Sequence, residues 1–210
     1  RVYRGLQLQL VVYMDAAMEM LRGQYPKKEI LPGGILYYHI DDPVLESDTP
    51  LSDEEAEQAL LFALRPDGLV NSGEEIYRAM DQNFEGKSQM IPVEIKKNGE
   101  ISTARSKVAS TEEFAVITRY VEHEIRQCGE AIYAGNIAVN PYRSDIETSC
   151  TYCPYASVCG MDAKIPGYEY RQFASMKKEE VLDQMQTELA RNRGKEERSD
   201  EMDEGTAERH

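Results

Sequence analysis

The chain has 210 residues, enough for one domain of ordinary size or a domain piece with a tail. Its 38 acidic against 24 basic side chains give a formal charge of -14, which excludes a protein devoted to non-specific DNA binding but bounds little about a local groove. No apolar run is long enough to span a bilayer, no segment reads as a signal peptide, and four cysteines are too few for a secreted disulfide scaffold of this size. A cytoplasmic, metal-using protein is the favoured class. The first residue, Arg1, falls inside a helical pattern, so the N-terminus reads as a cut.

Segment 2–23 reads as an amphipathic helix with Leu6, Leu10, Tyr13, Met14, Ala17 and Leu21 on one face, Gly23 as its C-cap and Pro26 beyond. Pro32-Gly33-Gly34 turns into Ile35-Leu36-Tyr37-Tyr38-His39-Ile40, short, aromatic and branched, which predicts a buried strand. Ser52 followed by acidic residues predicts a capped helix over 52–64, with Leu60, Leu61 and Leu64 as its apolar side. Pro66-Asp67-Gly68 reads as a turn, followed by a short helix near 73–80. Residues 91–104 read as a hairpin about Lys97-Asn98-Gly99.

The longest predicted helix is 111–134, capped by Ser110 or Thr111, acidic in its first turn, and ended by Gly135. Phe114, Ile117, Val121, Ile125, Cys128 and Ile132 form its apolar stripe. Residues 141–170 are loop-rich. A terminal helix is expected over 176–191, and the charged tail 192–210 is expected to be disordered. Lys96, Lys97, Arg105 and Lys107 form a local basic stretch, and Arg143, Lys164 and Arg171 flank the cysteines at 150–159. Solvated surface charge is the bland reading of each.

The loop-rich region holds Cys150-Thr151-Tyr152-Cys153-Pro154-Tyr155-Ala156-Ser157-Val158-Cys159, a C-x2-C-x5-C spacing. Disulfides, plain buried thiols, a zinc site and an iron–sulfur cluster all remain open. The small and aromatic neighbours Tyr152, Pro154, Tyr155, Val158 and Gly160 suit a shielded cluster. Tetrahedral zinc and cubane clusters normally take four protein ligands. Cys128 is a conceivable fourth ligand, giving a self-contained four-cysteine zinc-binding interaction module, but its place on the apolar stripe favours a core thiol. His39 beside Asp41 and Asp42 is a conceivable metal site, with a structural or solvated histidine the commoner case. His123 is expected on the exposed side of its helix. Tyr37, Tyr38, Tyr152, Tyr155, Tyr168 and Tyr170 suit base stacking, although ordinary packing is the commoner use.

Three segments together carry a resemblance: Gly5-Leu6-Gln7-Leu8-Gln9-Leu10-Val11-Val12-Tyr13, the strand ending His39-Ile40-Asp41-Asp42-Pro43, and the cysteine motif followed by Gly160 and Asp162. Over residues 1–175 the chain resembles the C-terminal nuclease domain of the B subunits of bacterial AddAB (RexAB) helicase–nucleases. The resemblance implies an α/β, helix-rich partial PD-(D/E)XK, restriction-endonuclease-like fold with a C-terminal iron–sulfur loop. It implies a 4Fe–4S cluster with Cys150, Cys153 and Cys159 as three ligands, a fourth far upstream, and no ligand role for Cys128. It also implies a Mg²⁺-dependent exodeoxyribonuclease in the intact, ATP-dependent complex, acting on DNA at double-strand breaks with an AddA-type partner in a heterodimer. The family's metal-binding carboxylates and lysine would precede Arg1, so the fragment alone is expected to be inactive. Gln9 and Tyr13 match the family's Q-x3-Y helix motif and are implied to help position substrate or catalytic groups. Without the resemblance, Tyr13 reads as a core aromatic and Gln9 as a surface polar residue.

Overall fold

The computed structural model describes residues 1–40, 42–82, 84–145 and 147–207, with side chains described as far as Asn192. They divide into two compact units, Gln7–Thr118 and Arg1–Leu6 with Arg119–His210.

In the first unit, α1 spans Gln9–Gln24. The expected helix from residue 2 is broken, because Gly5 sits at φ 73 and Gln7 at φ 60. The left-handed region ends a helix, and glycine enters it without a Cβ clash. Residues Val2–Arg4, which belong to the second unit, form a separate 3-10 turn. At the other end α1 runs through Gly23, and the cap is Tyr25. The inward face also differs from the predicted one. Val11 is buried and Met14, Met18 and Leu21 are half-buried, whereas Tyr13 and Ala17 face solvent.

A mixed sheet follows, in the order β1-β2-β3, from β1 (Gly34–Tyr37), β2 (Asp67–Asn71) and β3 (Val108–Ala109). β1 lies antiparallel to β2 with Gly34 opposite Val70 and Leu36 opposite Gly68, and β2 lies parallel to β3. The first strand is shorter and less buried than expected, since it stops at Tyr37 and leaves Ile40 94% exposed. The expected turn at Pro66-Asp67-Gly68 instead opens the central strand. Gly68 is required there: a Cβ at this position would lie 2.0 Å from the Ile35 carbonyl oxygen. Only a residue without a side chain lets the two strands close to pairing distance.

Two more helices belong to this unit. α2 (Asp53–Ala63) starts with a complete capping box: the Ser52 hydroxyl accepts the Glu55 N–H at 3.3 Å, and the Ser52 N–H donates to the Glu55 carboxylate at 2.9 Å. Donation by the Ser52 N–H, then its hydroxyl, lowers the Glu55 pKa. Its expected apolar side is largely open, with Leu60, Leu61 and Phe62 all exposed. α3 (Glu74–Met80) follows β2.

The core joins Val70, Tyr77 and Val108 to Phe84, Ile91, Val93 and Ile95, with Leu36 and Ile101 packed against it. Full burial of each large apolar side chain contributes about 1.5–3 kcal/mol. The expected hairpin survives as one bridge, Ile95 to Ile101, with Gly99 donating to the Lys96 carbonyl at 2.9 Å. Buried Asn71 acts as a polar staple, donating to the Pro32 carbonyl at 2.8 Å and Thr111 Oγ1 at 3.0 Å and accepting from the Gly73 N–H at 2.9 Å.

The long helix α4 spans Thr111–Tyr133. Ser110 caps it reciprocally with Glu113, at 3.2 Å and 2.7 Å. Its end has a Schellman pattern: Asn136 N–H to Ala131 C=O at 2.9 Å and Gly135 N–H to Ile132 C=O at 3.0 Å. The predicted stripe holds for Phe114, Ile117 and Val121 and fails beyond, where Ile125, Cys128 and Ile132 are exposed.

The second unit adds β4 (Tyr142–Ser144), α5 (Ala156–Cys159), β5 (Arg171–Phe173) and α6 (Lys178–Ala207). α6 buries Leu182 and Met185. Beyond Asn192, the expected tail lies outside the residues whose side chains are described, and 208–210 lie outside the described backbone. Gly68→Ala is expected to cost about 3 kcal/mol by forcing β1 and β2 apart. Chemical denaturation should show it as a lowered midpoint.

Candidate functional site

The cysteine segment is held at its base by a strand pair. β4 and β5 run parallel, with Tyr142 opposite Arg171 and Ser144 opposite Phe173. Between them the chain folds on itself through local hydrogen bonds. Ser149 N–H donates to the Tyr142 carbonyl at 3.1 Å, and Cys150 N–H donates to Thr148 Oγ1 at 2.9 Å. Cys153 N–H reaches the Cys150 carbonyl at 3.3 Å, and Cys159 N–H reaches the Tyr155 carbonyl at 2.8 Å. Gly160 at φ 64 ends α5. The three thiols are half-buried. Tyr152, Tyr155 and Val158, expected to shield them, point to solvent at 96%, 70% and 83% exposure.

Three soft sulfur donors on one short segment fit a thiophilic metal in donor type and spacing. They are not gathered as a finished site: among the described residues no group of three His, Cys, Asp or Glu side chains is placed to hold a metal ion. Cys128 does not complete the set. It is also not the core thiol its helical position predicted, because the last turns of α4 carry no covering layer among the described residues and leave it exposed.

The base of the loop is clamped by residues that sequence reasoning missed. The rings of Tyr142 and Phe173 stack at 5.0 Å with 7° between their planes. The Arg4 guanidinium lies 4.5 Å above the Phe173 ring. The same guanidinium donates to the carbonyls of Gln172 at 3.0 Å and Ala174 at 2.7 Å. One cation thus grips β5 through its backbone and its aromatic face together. Beside it, Arg143 lies 4.2 Å from the centre of the Tyr170 ring. No spacing rule links Arg4 to residues 168 positions away. The available signal was the pairing of an aromatic at each end of the cysteine region.

Next to the clamp, Glu188 on α6 accepts from Tyr3 at 2.7 Å and Tyr120 at 3.1 Å, while the Tyr120 hydroxyl also lies 3.0 Å from the Tyr3 carbonyl. Burial, then the Glu124 and Glu188 carboxylates, push the Tyr120 phenol well above its ordinary value. Tyr3 shifts the same way, by burial and its bond to Glu188. His123, expected on an exposed face, is half-buried with a ring nitrogen 2.8 Å from the Asn192 amide.

In the other unit, Gln9 and Tyr13 do share one face of α1. The Gln9 amide nitrogen donates to the Tyr13 hydroxyl at 2.6 Å, and both side chains face solvent. Tyr13 is therefore not a core aromatic. The pair presents an amide carbonyl and a phenol together, groups that accept from and donate to a polar ligand. His39 is exposed past the end of β1, and Asp41 lies outside the described residues.

Residues 1–160 match the model of the PD-(D/E)XK nuclease superfamily, and the chain belongs to that superfamily. Its fold class is therefore that of a PD-(D/E)XK nuclease, as expected. The chain is also similar to proteins named as the B subunit of an ATP-dependent helicase/deoxyribonuclease. It is 38% identical over 188 residues to that of Thermoanaerobacter sp. (strain X514), covering 90% of this chain and 16% of the relative. It is 40% identical over 189 residues to that of Lachnoclostridium phytofermentans, covering 86% and 16%. It is 39% identical over 189 residues to that of Clostridium botulinum (strain Hall), covering 90% and 16%. The chain thus spans about 16% of the length of the curated relatives it matches. No helix among the described residues is long and apolar enough to cross a membrane.

Arg4→Ala removes two charge-assisted hydrogen bonds and a cation–π contact, a local loss of about 3 kcal/mol. Hydrogen exchange should then rise at the Arg171 amide, whose partner is the Pro141 carbonyl, more than in β2. The raised phenols add a pH dependence. Their stabilising share is complete below the ordinary phenol pKa of about 10 and is lost as pH rises toward the raised folded value. Tyr120→Phe is expected to flatten the fall of the unfolding midpoint above about pH 10 relative to the unsubstituted protein.

Proposed function

We propose that the chain is the C-terminal part of the nuclease domain of an ATP-dependent helicase/deoxyribonuclease B subunit. The intact domain hydrolyses phosphodiesters in a strand unwound from a DNA end, in cytoplasmic recombinational repair, beside an A-type helicase–nuclease partner. The observation that carries this reading is the reach of the similarity: it covers 90% of the chain in the Thermoanaerobacter relative.

Within that reading, Gln9 and Tyr13 serve the substrate. The Tyr13 hydroxyl donates to a phosphate oxygen, and the Gln9 amide, bonded to it at 2.6 Å, holds the phenol in place. Mg²⁺ is the expected metal of the intact domain, where it lowers the pKa of bound water and neutralises developing charge. In this reading Gln9 and Tyr13 are supporting groups, and none of this chain's residues is assigned as a carboxylate ligand of that metal. The chemical step therefore belongs to the intact domain.

Cys150, Cys153 and Cys159 are the three thiolates that this chain contributes to a 4Fe–4S cluster, with the fourth supplied from outside residues 1–210. Bound there, the cluster is structural, and its ligation energy becomes folding energy. The donor chemistry supports this assignment: three half-buried thiols on a segment already folded by its own backbone. Zinc held with Cys128 has no supporting geometry, because Cys128 stands exposed on α4.

The test uses the protein that carries this chain, purified without oxygen. Cys150→Ser, Cys153→Ser and Cys159→Ser are each expected to lose bound iron and the brown absorbance, while Cys128→Ser keeps both. One tightly bound zinc per chain, lost in Cys128→Ser, would overturn the cluster. The 210-residue chain alone is expected to leave DNA intact with Mg²⁺, and cleavage by a contaminant-free sample would refute that.

A further inference from the structure

Segment 84–107 carries five cations against three carboxylates in a chain of charge -14. It is a built platform, not a loose loop. Phe84, Ile91, Val93 and Ile95 are buried in the core beneath it. Buried Ser88 fixes one of its turns, donating to Asp81 at 2.6 Å and accepting the Met90 and Ile91 N–H groups at 3.0 Å each. Arg65 ties that turn down through the Ser88 carbonyl at 3.0 Å. The Lys96 N–H donates to the Glu100 carbonyl at 2.8 Å, closing the turn that displays Lys96 and Lys97.

An open groove runs across this platform, with Arg78, Lys96 and Lys97 on its walls, Phe84 and Ile95 on its floor, and Gly86 and Gly99 in its lining. Among the described residues Glu85 is the one carboxylate in the lining. A Cβ added at either glycine meets nothing within 4 Å, so a ligand can approach the backbone there. Arg78 is preset: its guanidinium donates to the Phe84 carbonyl at 3.0 Å and lies 5.1 Å from the Phe84 ring centre. Its ion pair with exposed Glu74 is long, 4.0 Å, and the pair of Lys96 with Glu100, at 3.8 Å, is long and exposed. Such pairs hold a cation weakly. Lys97 makes no ion pair among the described residues.

We propose that this groove binds the phosphodiester backbone of a DNA strand, with Arg78, Lys96 and Lys97 as its phosphate contacts. The proposal rests on the nuclease reading and adds a named surface for its substrate. Three cations line one open groove, and a phosphodiester strand, with one charge per nucleotide, can engage more than one of them at once. Among the described residues the lining holds no exposed aromatic to stack on a base and no side-chain amide to read its edge. Contact therefore falls on the sugar–phosphate chain and carries no sequence preference.

The test follows binding of a labelled single-stranded oligonucleotide to the protein that carries this chain, across a salt series. Lys96→Gln/Lys97→Gln is expected to weaken binding several-fold and to make the salt slope shallower by about 1.4, two lost phosphate contacts. Lys96→Glu/Lys97→Glu should go further in the same direction. An unchanged affinity and slope in both variants would overturn the groove, as would an equal loss from Lys27→Gln/Lys28→Gln, an exposed pair elsewhere. A protein that binds and cuts no DNA even when unsubstituted would instead sink the nuclease reading.

Discussion

A parallel pair of three-residue strands is a weak base for a long loop, and the Arg4 clamp is what makes it adequate. β4 and β5 bring few ladder hydrogen bonds to the task. Arg4 adds two bonds to backbone carbonyls and covers the Phe173 ring, which itself stacks on Tyr142. These contacts act together, since the ring can lie under the guanidinium only while the strand is in register. Without them, the ends of the cysteine segment would separate at little cost. The placement of the three thiols thus depends on a residue remote in sequence from all of them.

Much of the local structure was legible in the sequence, for a physical reason. Ser52 and Ser110 cap helices with carboxylates three residues on, and the structure shows both reciprocal bonds. Asn98-Gly99 closes its turn as the dipeptide predicts. These signals are short-range, and nothing tertiary competes with them. The failures were equally systematic. β2 was hidden because Pro66-Asp67-Gly68 looks like a turn, and its glycine turned out to serve strand approach. The stripe of α4 continues in sequence after Val121, but periodicity cannot say whether a partner layer reaches that far.

The candidate sites divided along the same line. Gln9 and Tyr13 were read correctly as sharing a face, since four residues complete about one helical turn. Which face it was could not be read, because the apolar residues of α1 surround the helix and Val11, not Tyr13, points inward. The cysteine spacing was plain, but the shielding assigned to its aromatic neighbours was not, since Tyr152 and Tyr155 are exposed. Arg4, Tyr3, Tyr120 and Glu188 were invisible as a group: each is ordinary alone, and only the fold assembles them.

The overall charge and the local platform pull in opposite directions, and distance decides which matters. At physiological ionic strength the screening length is about 8 Å, so carboxylates farther than this from Lys96 and Lys97 lose most of their hold on a ligand in the groove. The nearby acids count. Glu94 is already engaged by Arg105 at 2.9 Å, and Asp67 is bonded by Lys107, whose ammonium lowers its pKa. Those two acids therefore present a reduced field to the groove. An acidic chain can in this way keep a cationic surface in working order: Glu94 and Asp67 are paired off, distant carboxylates are screened, and Glu85 in the lining is left as the acid that the groove's three cations outnumber.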